Sequence, residues 1–93
     1  MDLVDGMRVF VASVETGSFS GAAARLGMSP KLASKYMAEL EAQLGTQLLH
    51  RTTRRLGLTA AGEQLLSRAP DWLNELDEMT GELREARRGL SGT

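Results

Sequence analysis

The segment from residue 18 to residue 45 constrains the fold of this chain more than any other part of the sequence. Gly27 interrupts a helical pattern in its middle, and glycine there can adopt the left-handed conformation that ends a helix. Ser29 and Pro30 follow, a hydroxyl N-cap and a proline at the first helical position, where its missing N–H costs nothing. The segment therefore predicts two helices joined by a tight turn, the first opened by Ser20 as its N-cap.

The second helix of this segment has two chemically distinct faces. Apolar side chains recur at helical spacing along one face and predict burial in a core: Ala33, Met37, Leu40 and Leu44. The opposite face carries small, polar or basic side chains that no core requires: Pro30, Lys31, Ser34, Lys35 and Ala38. Gly45 is placed to end this helix.

Further elements are predicted on both sides of the helix pair. A helix from Leu3 to Thr16 precedes it, because apolar residues repeat there at helical spacing, and Gly17 ends that helix. Segments 47–51 and 54–58 predict a short two-stranded wing. Three leucines of the wing are expected to face the core: Leu48, Leu56 and Leu58. The sequence thus predicts a mainly α fold over residues 1–58, a winged helix-turn-helix of three helices and a two-stranded wing.

The net charge of −1 conceals a strong asymmetry along the chain. Residues 1–24 carry one basic and three acidic residues, a balance of −2, and residues 56–93 carry four basic and seven acidic residues, a balance of −3. Residues 25–55 carry six basic against two acidic residues, a balance of +4. Because a local basic patch governs phosphate contact more than the total charge does, the middle of the chain indicates a nucleic-acid partner.

The candidate DNA contacts form two main groups. Those on the third helix lie near its N-terminal end, the part of a recognition helix that meets base edges in the major groove: Ser29, Pro30, Lys31, Ser34 and Lys35. Those on the wing could enter a minor groove or bind phosphates: Arg51, Thr53, Arg54 and Arg55. Ser20 is a further candidate at a helix N-terminus, although capping explains it equally well.

Each group also has an alternative that involves no DNA. The lysines of the third helix could belong to a solvated helix face. One arginine of the wing could be structural and pair with a carboxylate of the first helix or of the long C-terminal helix.

A long helix is predicted from Thr59, another good N-cap, to about Arg88. Its apolar residues follow one another at alternating steps of four and three, the a/d seam of a coiled coil. The seam residues expected at a dimer interface are Leu65, Ala69, Trp72, Leu76, Met79 and Leu83. Such a helix cannot bury its whole seam on a core built from residues 1–58, so residues 59–93 are expected to pair with a second copy. Pro70 should kink this helix or weaken its first turn.

Composition argues against several other classes of protein. Cysteine is absent and His50 is the only histidine, so no Cys-based metal site and no usual Ser–His pairing can form. We therefore expect no enzyme activity, no metal and no cofactor. The longest apolar run, Val9 to Ala12, is too short to span a membrane, and the acidic N-terminus lacks the layout of a signal peptide. A cytoplasmic protein with no membrane partner is expected.

Four strings along the chain resemble the N-terminal region of LysR-type transcriptional regulators: FVASVETGSFSGAAARLGMS, the pair Ser34-Lys35, LEAQLGTQLLHRTTRRLGLT, and AAGE. The resemblance extends from residue 1 to about residue 88. It implies a bacterial, homodimeric winged helix-turn-helix domain that binds double-stranded promoter DNA at an AT-rich inverted repeat, with a linker helix that pairs antiparallel with that of its partner. The family more often has arginine where Lys35 stands and a small residue where Leu32 stands, so half-site preference cannot be copied from a relative.

Full-length members of this family add a C-terminal domain that binds a small-molecule co-inducer. The resemblance therefore implies an excised DNA-binding domain or an unusually short member. Two other functions remain open. A non-specific architectural DNA binder would bind with strong salt dependence but without preference between sequences. A helical interaction module would recruit a protein through the heptad seam, but it would leave the capped third helix and the RTTRR segment unexplained.

Overall fold

The computed structural model of the protein describes residues 2–51 and 56–92, with side chains up to residue 89. Its elements are, in chain order, α1 (Leu3–Thr16), α2 (Phe19–Leu26), α3 (Pro30–Leu44), β1 (Leu49–Arg51), β2 (Leu56–Leu58), α4 (Ala60–Leu66) and α5 (Ala69–Gly92). The two strands are antiparallel. This order confirms the predicted mainly α winged helix-turn-helix with a long C-terminal helix.

Helices α1, α2 and α3 end where the glycines predict. The C-cap residues Gly17, Gly27 and Gly45 have φ values of 84°, 70° and 69°, in the left-handed region that residues with a Cβ rarely adopt. The start of α3 is confirmed as well, because the Leu32 N–H donates a hydrogen bond to Ser29 Oγ at 3.1 Å. These helix ends follow from local chain chemistry.

The prediction of Ser20 as the N-cap of α2 is wrong. The cap is Ser18, which has an extended backbone and whose Oγ accepts a hydrogen bond from the Gly21 N–H at 2.9 Å. Helix α2 therefore begins at Phe19, and Ser20 is an exposed residue of its first turn. A Cβ at position 21 would lie 2.6 Å from Thr16 Cβ, so a glycine is needed where α2 turns back against the end of α1.

The core lies between the first three helices and the wing. Its largest fully buried apolar side chains are Val9, Phe10, Met37, Leu40, Leu48 and Leu49. Of the stripe predicted on α3, Ala33, Met37 and Leu40 are buried, but Leu44 is 40% exposed. The prediction for Leu44 is wrong because the last turn of α3 extends past the edge of the core before Gly45 ends the helix.

Strand β1 is shorter than predicted, since it covers Leu49–Arg51 and the prediction was 47–51. Strand β2 covers Leu56–Leu58, and residues 54–55 of the predicted strand lie outside the described residues. Leu49 pairs with Leu58 and Arg51 pairs with Leu56. Leu48 is buried, and the two leucines of β2 pack half-buried against the core, as expected. The predicted turn at residues 52–53 lies outside the described residues.

Thr59 joins the wing to α4. Its Oγ1 accepts a hydrogen bond from the Gly62 N–H at 2.9 Å, which confirms the predicted N-cap, and it donates one to the Gln47 carbonyl at 2.7 Å. A Cβ at position 62 would lie 2.1 Å from the Leu48 carbonyl oxygen. Glycine therefore permits the close approach of α4 to the strand.

The long helix is divided into α4 and α5, whereas the sequence predicts one helix from Thr59 to about Arg88. The expected effect of Pro70 explains the break. Proline provides no N–H and its ring clashes with the carbonyl four residues earlier, which is that of Leu66, the last residue of α4. The Arg68 N–H bonds to the Leu65 carbonyl at 3.1 Å instead, and α5 begins at Ala69.

The first turns of α5 pack against the core and against α1. Ala69 and Leu73 are buried in the core cluster. One turn further, the guanidinium of Arg8 donates two hydrogen bonds to the Asp77 carboxylate, at 2.8 and 3.1 Å. This hydrogen bonding raises the pKa of Arg8 and lowers the pKa of Asp77. The contacts orient α5 relative to α1. The predicted division into a domain of residues 1–58 and a linker helix of residues 59–93 stays a prediction.

Candidate nucleic-acid interface

The N-terminal half of α3 presents one exposed polar surface. Burial of Ala33 and Met37 determines the rotation of the helix about its axis. As a result Lys31 and Lys35, which are one helical turn apart, are exposed, and Ser34 is half-buried between them. Ser29 and Pro30 are exposed at the start of the same helix. We call these five residues, Ser29, Pro30, Lys31, Ser34 and Lys35, the α3 surface.

The two lysines of the α3 surface keep their charge available for an external anion. No described acidic residue forms an ion pair with Lys31 or Lys35, and the first turn of α3 contains no acidic residue. Arg25, by contrast, is paired with Glu15 of α1. Among the described residues, the exposed side of α3 thus carries two cations without an acidic partner.

Arg51 is engaged within the chain. Its Nη2 lies 3.0 Å from Glu41 Oε1, and its guanidinium carbon lies 5.7 Å from the centre of the Phe19 ring, a cation–π distance. The sequence predicts a structural role for one arginine of the wing, with a carboxylate of the first or the long helix. The partner is instead on α3. The other wing candidates, Thr53, Arg54 and Arg55, lie outside the described residues.

Glu41 is the residue that sequence reasoning missed in this region. Its carboxylate accepts hydrogen bonds from the backbone N–H groups of Leu48 and Leu49, at 2.7 and 3.2 Å, in addition to its ion pair with Arg51. Only 11% of its side chain is exposed. Glu41 therefore attaches the start of β1 to α3 and sets the position of the wing relative to the α3 surface. The signal in the sequence was an acidic residue within a basic segment.

Ser20 lies on α2 and is not part of the α3 surface. It does not cap α2 either, because Ser18 is the N-cap of that helix. Ser20 is exposed. Tyr36, which the helical pattern places on the flank of α3, is half-buried and packs against the core. The structure thus brings together the candidates of α3 and leaves Ser20 on a separate helix.

Helix α5 carries a second exposed surface of different chemistry. Among the seam residues, Trp72 is 47% exposed, Met79 and Leu83 are exposed large apolar side chains, and Leu76 is half-buried. We call Trp72, Leu76, Met79 and Leu83 the α5 surface. It extends beyond the contacts of α5 with α1.

Two of the predicted seam residues pack against the core of the single chain. Ala69 is only 3% exposed and belongs to the core cluster, so its predicted contact with a second copy stays a prediction. Leu65 is half-buried and packs against the core as well. Leu73, which is outside the heptad seam, is buried in the core together with Ala69, and the seam pattern gave no signal for it.

A groove of about 610 Å³ lies where α4 and α5 meet near α1. Met7, Leu65, Ala69 and Trp72 form its apolar lining, and Arg68 and Glu75 are among the charged side chains that line it. Trp72 belongs to both the groove and the α5 surface, so the two are continuous.

Among the described residues, no group of three or more His, Cys, Asp or Glu side chains is placed to hold a metal ion. No helix within residues 2–51 and 56–92 is long and apolar enough to cross a membrane.

Comparison with known proteins agrees with this geometry. Residues 4–63 match the family of bacterial regulatory helix-turn-helix proteins of the LysR type. The HTH-type transcriptional activator AllS of Salmonella typhi is 48% identical over 84 residues, which make up 90% of this chain and 27% of that protein. This chain thus spans about a quarter of the length of the curated relatives that it matches.

Solved structures of two DNA-bound domains are also similar. The CbnR DBD–DNA complex has a TM-score of 0.79 at 36% identity, and the similarity covers 95% of this chain and 99% of that chain. The BenM DBD complex with catB site 1 DNA has a TM-score of 0.83 at 33% identity, and covers 94% of this chain and 97% of that chain.

Proposed function

We propose that this chain, which belongs to the LysR family of bacterial regulatory helix-turn-helix proteins, binds double-stranded DNA in a sequence-specific manner and so takes part in regulating transcription. One observation carries the proposal: the first turns of α3 expose Lys31 and Lys35 without an acidic partner among the described residues. Solved structures similar to it include two domains that are complexed with DNA.

In the proposed complex the α3 surface enters the major groove. Lys31 and Lys35 would donate hydrogen bonds to base edges or phosphates, and Ser34 would contribute a hydroxyl beside them. Ser29 would cap α3 and also bind a phosphate, as a hydroxyl at a helix N-terminus can. Ser20, Thr53, Arg54 and Arg55 stay predicted phosphate or minor-groove contacts. We assign Arg51 to holding the wing in place, because Glu41 and Phe19 already engage its guanidinium.

We further propose that the chain forms a homodimer through α5. The exposed apolar side chains of the α5 surface, with the groove beside Trp72, provide an area that a second copy could cover. Two copies would then present two α3 surfaces to one duplex with an inverted repeat, at successive major grooves about 34–36 Å apart.

Membership of the family also supports proposals about the activity, the location and the domains of the whole protein. We propose that it is a transcription factor without enzyme activity that acts in the cytoplasm, where bacterial DNA is found. A further domain that binds a small-molecule co-inducer is proposed on the same ground, because the curated relatives are longer than this chain.

The proposed function is tested by fluorescence anisotropy with two labelled duplexes at about 150 mM salt, where non-specific binding is weak. One duplex carries an AT-rich inverted repeat and the other carries the same bases in scrambled order. The repeat is first enriched from a random-sequence library by binding to the chain. We expect a preference of about a hundredfold for the enriched duplex.

The alternatives predict different outcomes of the same titration. Equal affinity for both duplexes, with a steep dependence on salt, would indicate a non-specific architectural DNA binder. An absence of binding to either duplex, even at low salt, would leave the helical interaction module as the better explanation.

A further inference from the structure

Leu32 is a large apolar side chain at a place where the core does not require one. It lies in the first turn of α3, where its N–H is held by Ser29 Oγ at 3.1 Å, and the residue is 36% exposed. The next residue, Ala33, belongs to the core cluster, whereas Leu32 is not among the described side chains that form this cluster or pack against it. Leu32 therefore exposes apolar surface beside the α3 surface.

The charges around Leu32 indicate what kind of partner would cover it. Lys31 precedes it and Lys35 follows it by one helical turn, and both are exposed. Glu39 and Glu41 lie at least two helical turns after Leu32 on the same helix. The carboxylate of Glu41 also already accepts hydrogen bonds from Leu48 and Arg51. An apolar side chain flanked by two such lysines fits a polyanion that also presents an apolar group.

We infer that Leu32 is a specificity-determining residue that contacts the C5 methyl group of a thymine in the major groove. The inference rests on the proposed function, which places the first turns of α3 in that groove. Of the groups that base pairs present there, the thymine methyl is the apolar one, and the others are hydrogen-bond donors and acceptors. A contact between the leucine side chain and this methyl removes apolar surface of both from water.

The flanking lysines cannot replace this contact. An ammonium group recognises acceptors such as guanine O6 and N7, thymine O4 or phosphate oxygens, and it gains nothing from a methyl group. Leu32 thus gives the α3 surface a preference for thymine at one position in each half-site.

The test removes the methyl group from the DNA and the leucine from the protein in turn. Each thymine of the duplex enriched from the random library is replaced singly by deoxyuridine, which keeps O4 and the base pairing and lacks only the methyl. Affinities of the wild-type chain and of Leu32→Ala are measured by anisotropy. We expect one thymine in each half-site at which deoxyuridine weakens the wild-type chain about three- to fivefold, the size typical of one buried methyl group. Leu32→Ala should lose that difference.

The matched control is Leu44→Ala, since Leu44 lies on the same helix and is exposed to nearly the same extent, 40% against 36%. Its ratio of affinities for thymine and deoxyuridine should equal that of the wild-type chain. Thermal unfolding of both variants, followed by circular dichroism, verifies that each is folded.

Two results would overturn the inference. One is a wild-type chain that tolerates deoxyuridine at every position. The other is a Leu32→Ala variant that keeps the wild-type ratio, whether or not its stability falls, because the leucine side chain would then not be what contacts the methyl group. Both leave sequence-specific binding intact. A library from which the chain enriches no sequence would overturn the inference and the proposed function together.

Discussion

Helices α3 and α5 both bury one side against the core and expose the other, and the two exposed sides have opposite chemistry. The α3 surface is polar and basic, with Lys31 and Lys35 unpaired by any described acid. The α5 surface is apolar, and acidic residues such as Asp71 and Glu75 lie near it along the helix. Exposure alone therefore does not identify a function, whereas charge separates a surface suited to phosphates from one suited to another protein chain.

The comparison predicts that each surface can be disabled without the other. Variants of α5 should change association between copies and spare the DNA contacts of a single copy. Variants of α3 should change DNA recognition and spare association. The expected effects decrease from the α5 surface, through the α3 surface, to the contacts that position the wing and α5.

The largest effect is expected from Trp72→Ala. Trp72 combines the largest side chain of the α5 surface with a position at the groove, and tryptophan is often a dominant residue of protein interfaces. We expect the dimer dissociation constant to rise about 30-fold, equivalent to ~2 kcal/mol. Sedimentation equilibrium over a range of concentrations measures it, with Leu44→Ala as a control outside α5. A wild-type chain that stays monomeric, or a variant that associates equally well, would contradict the assignment of the α5 surface.

Lys35→Ala should have the next largest effect. Loss of one base contact typically costs ~1–3 kcal/mol, and lysine as a single-point donor belongs at the lower end, so we expect about a tenfold loss of affinity for the enriched duplex. Binding to random DNA should fall less. Arg87→Ala, which removes one charge from exposed α5, is the matched control. If the variant lost affinity equally for both duplexes, Lys35 would be a phosphate contact and would not read a base.

Arg51→Ala tests whether this arginine positions the wing or binds DNA. We expect a loss of ~1 kcal/mol in the free energy of unfolding, because a partly exposed ion pair and a cation–π contact are both removed. Glu41→Gln, which removes the charge and keeps an acceptor oxygen, should destabilise the chain to a similar extent. Denaturant titration measures both.

The salt dependence of DNA binding supplies the second readout for Arg51. If Arg51 holds the wing only, the slope of log affinity against log salt concentration should be the same for Arg51→Ala and the wild-type chain. A slope that becomes shallower by about 0.9 would instead show that Arg51 neutralises a phosphate.

The smallest effect is expected from Asp77→Asn, which breaks the ion pair between α1 and α5. The pair lowers the pKa of Asp77, so its contribution to stability is present above the ordinary pKa of an aspartate and is lost as the pH falls through the lowered pKa of the folded state. At pH 7 the variant should melt at a slightly lower temperature than the wild-type chain. As the pH falls below the ordinary pKa of an aspartate, the difference between the two melting temperatures should shrink, and a difference that does not depend on pH would contradict an electrostatic origin.

Helix ends show what was predictable from local chemistry. The caps Ser29 and Thr59 and the stop at Gly27 act within a few residues of chain, so the sequence pattern was sufficient to locate them. Ser18 and Ser20 mark the limit of this reasoning. Both are good capping residues two positions apart, and the backbone at the end of α1 decides between them.

The candidate nucleic-acid interface also has one part that the sequence pattern predicts and one part that it does not. The α3 surface was predictable because helical periodicity alone separates its exposed face from its buried face. Glu41 was not, because its partners Leu48, Leu49 and Arg51 come close to it only after α3 has ended and the chain has turned into β1.

Residue type and spacing are sufficient to predict the winged helix-turn-helix, the basic charge of residues 25–55 and the apolar seam of the last helices. They are not sufficient to predict which seam residues stay exposed, because that depends on how α5 packs on the core. Ala69 and Trp72 are equivalent in the heptad pattern, but packing of α5 on the core buries Ala69 and leaves Trp72 exposed. Periodicity defines a helix face, and the position of the neighbouring elements determines how much of that face is covered.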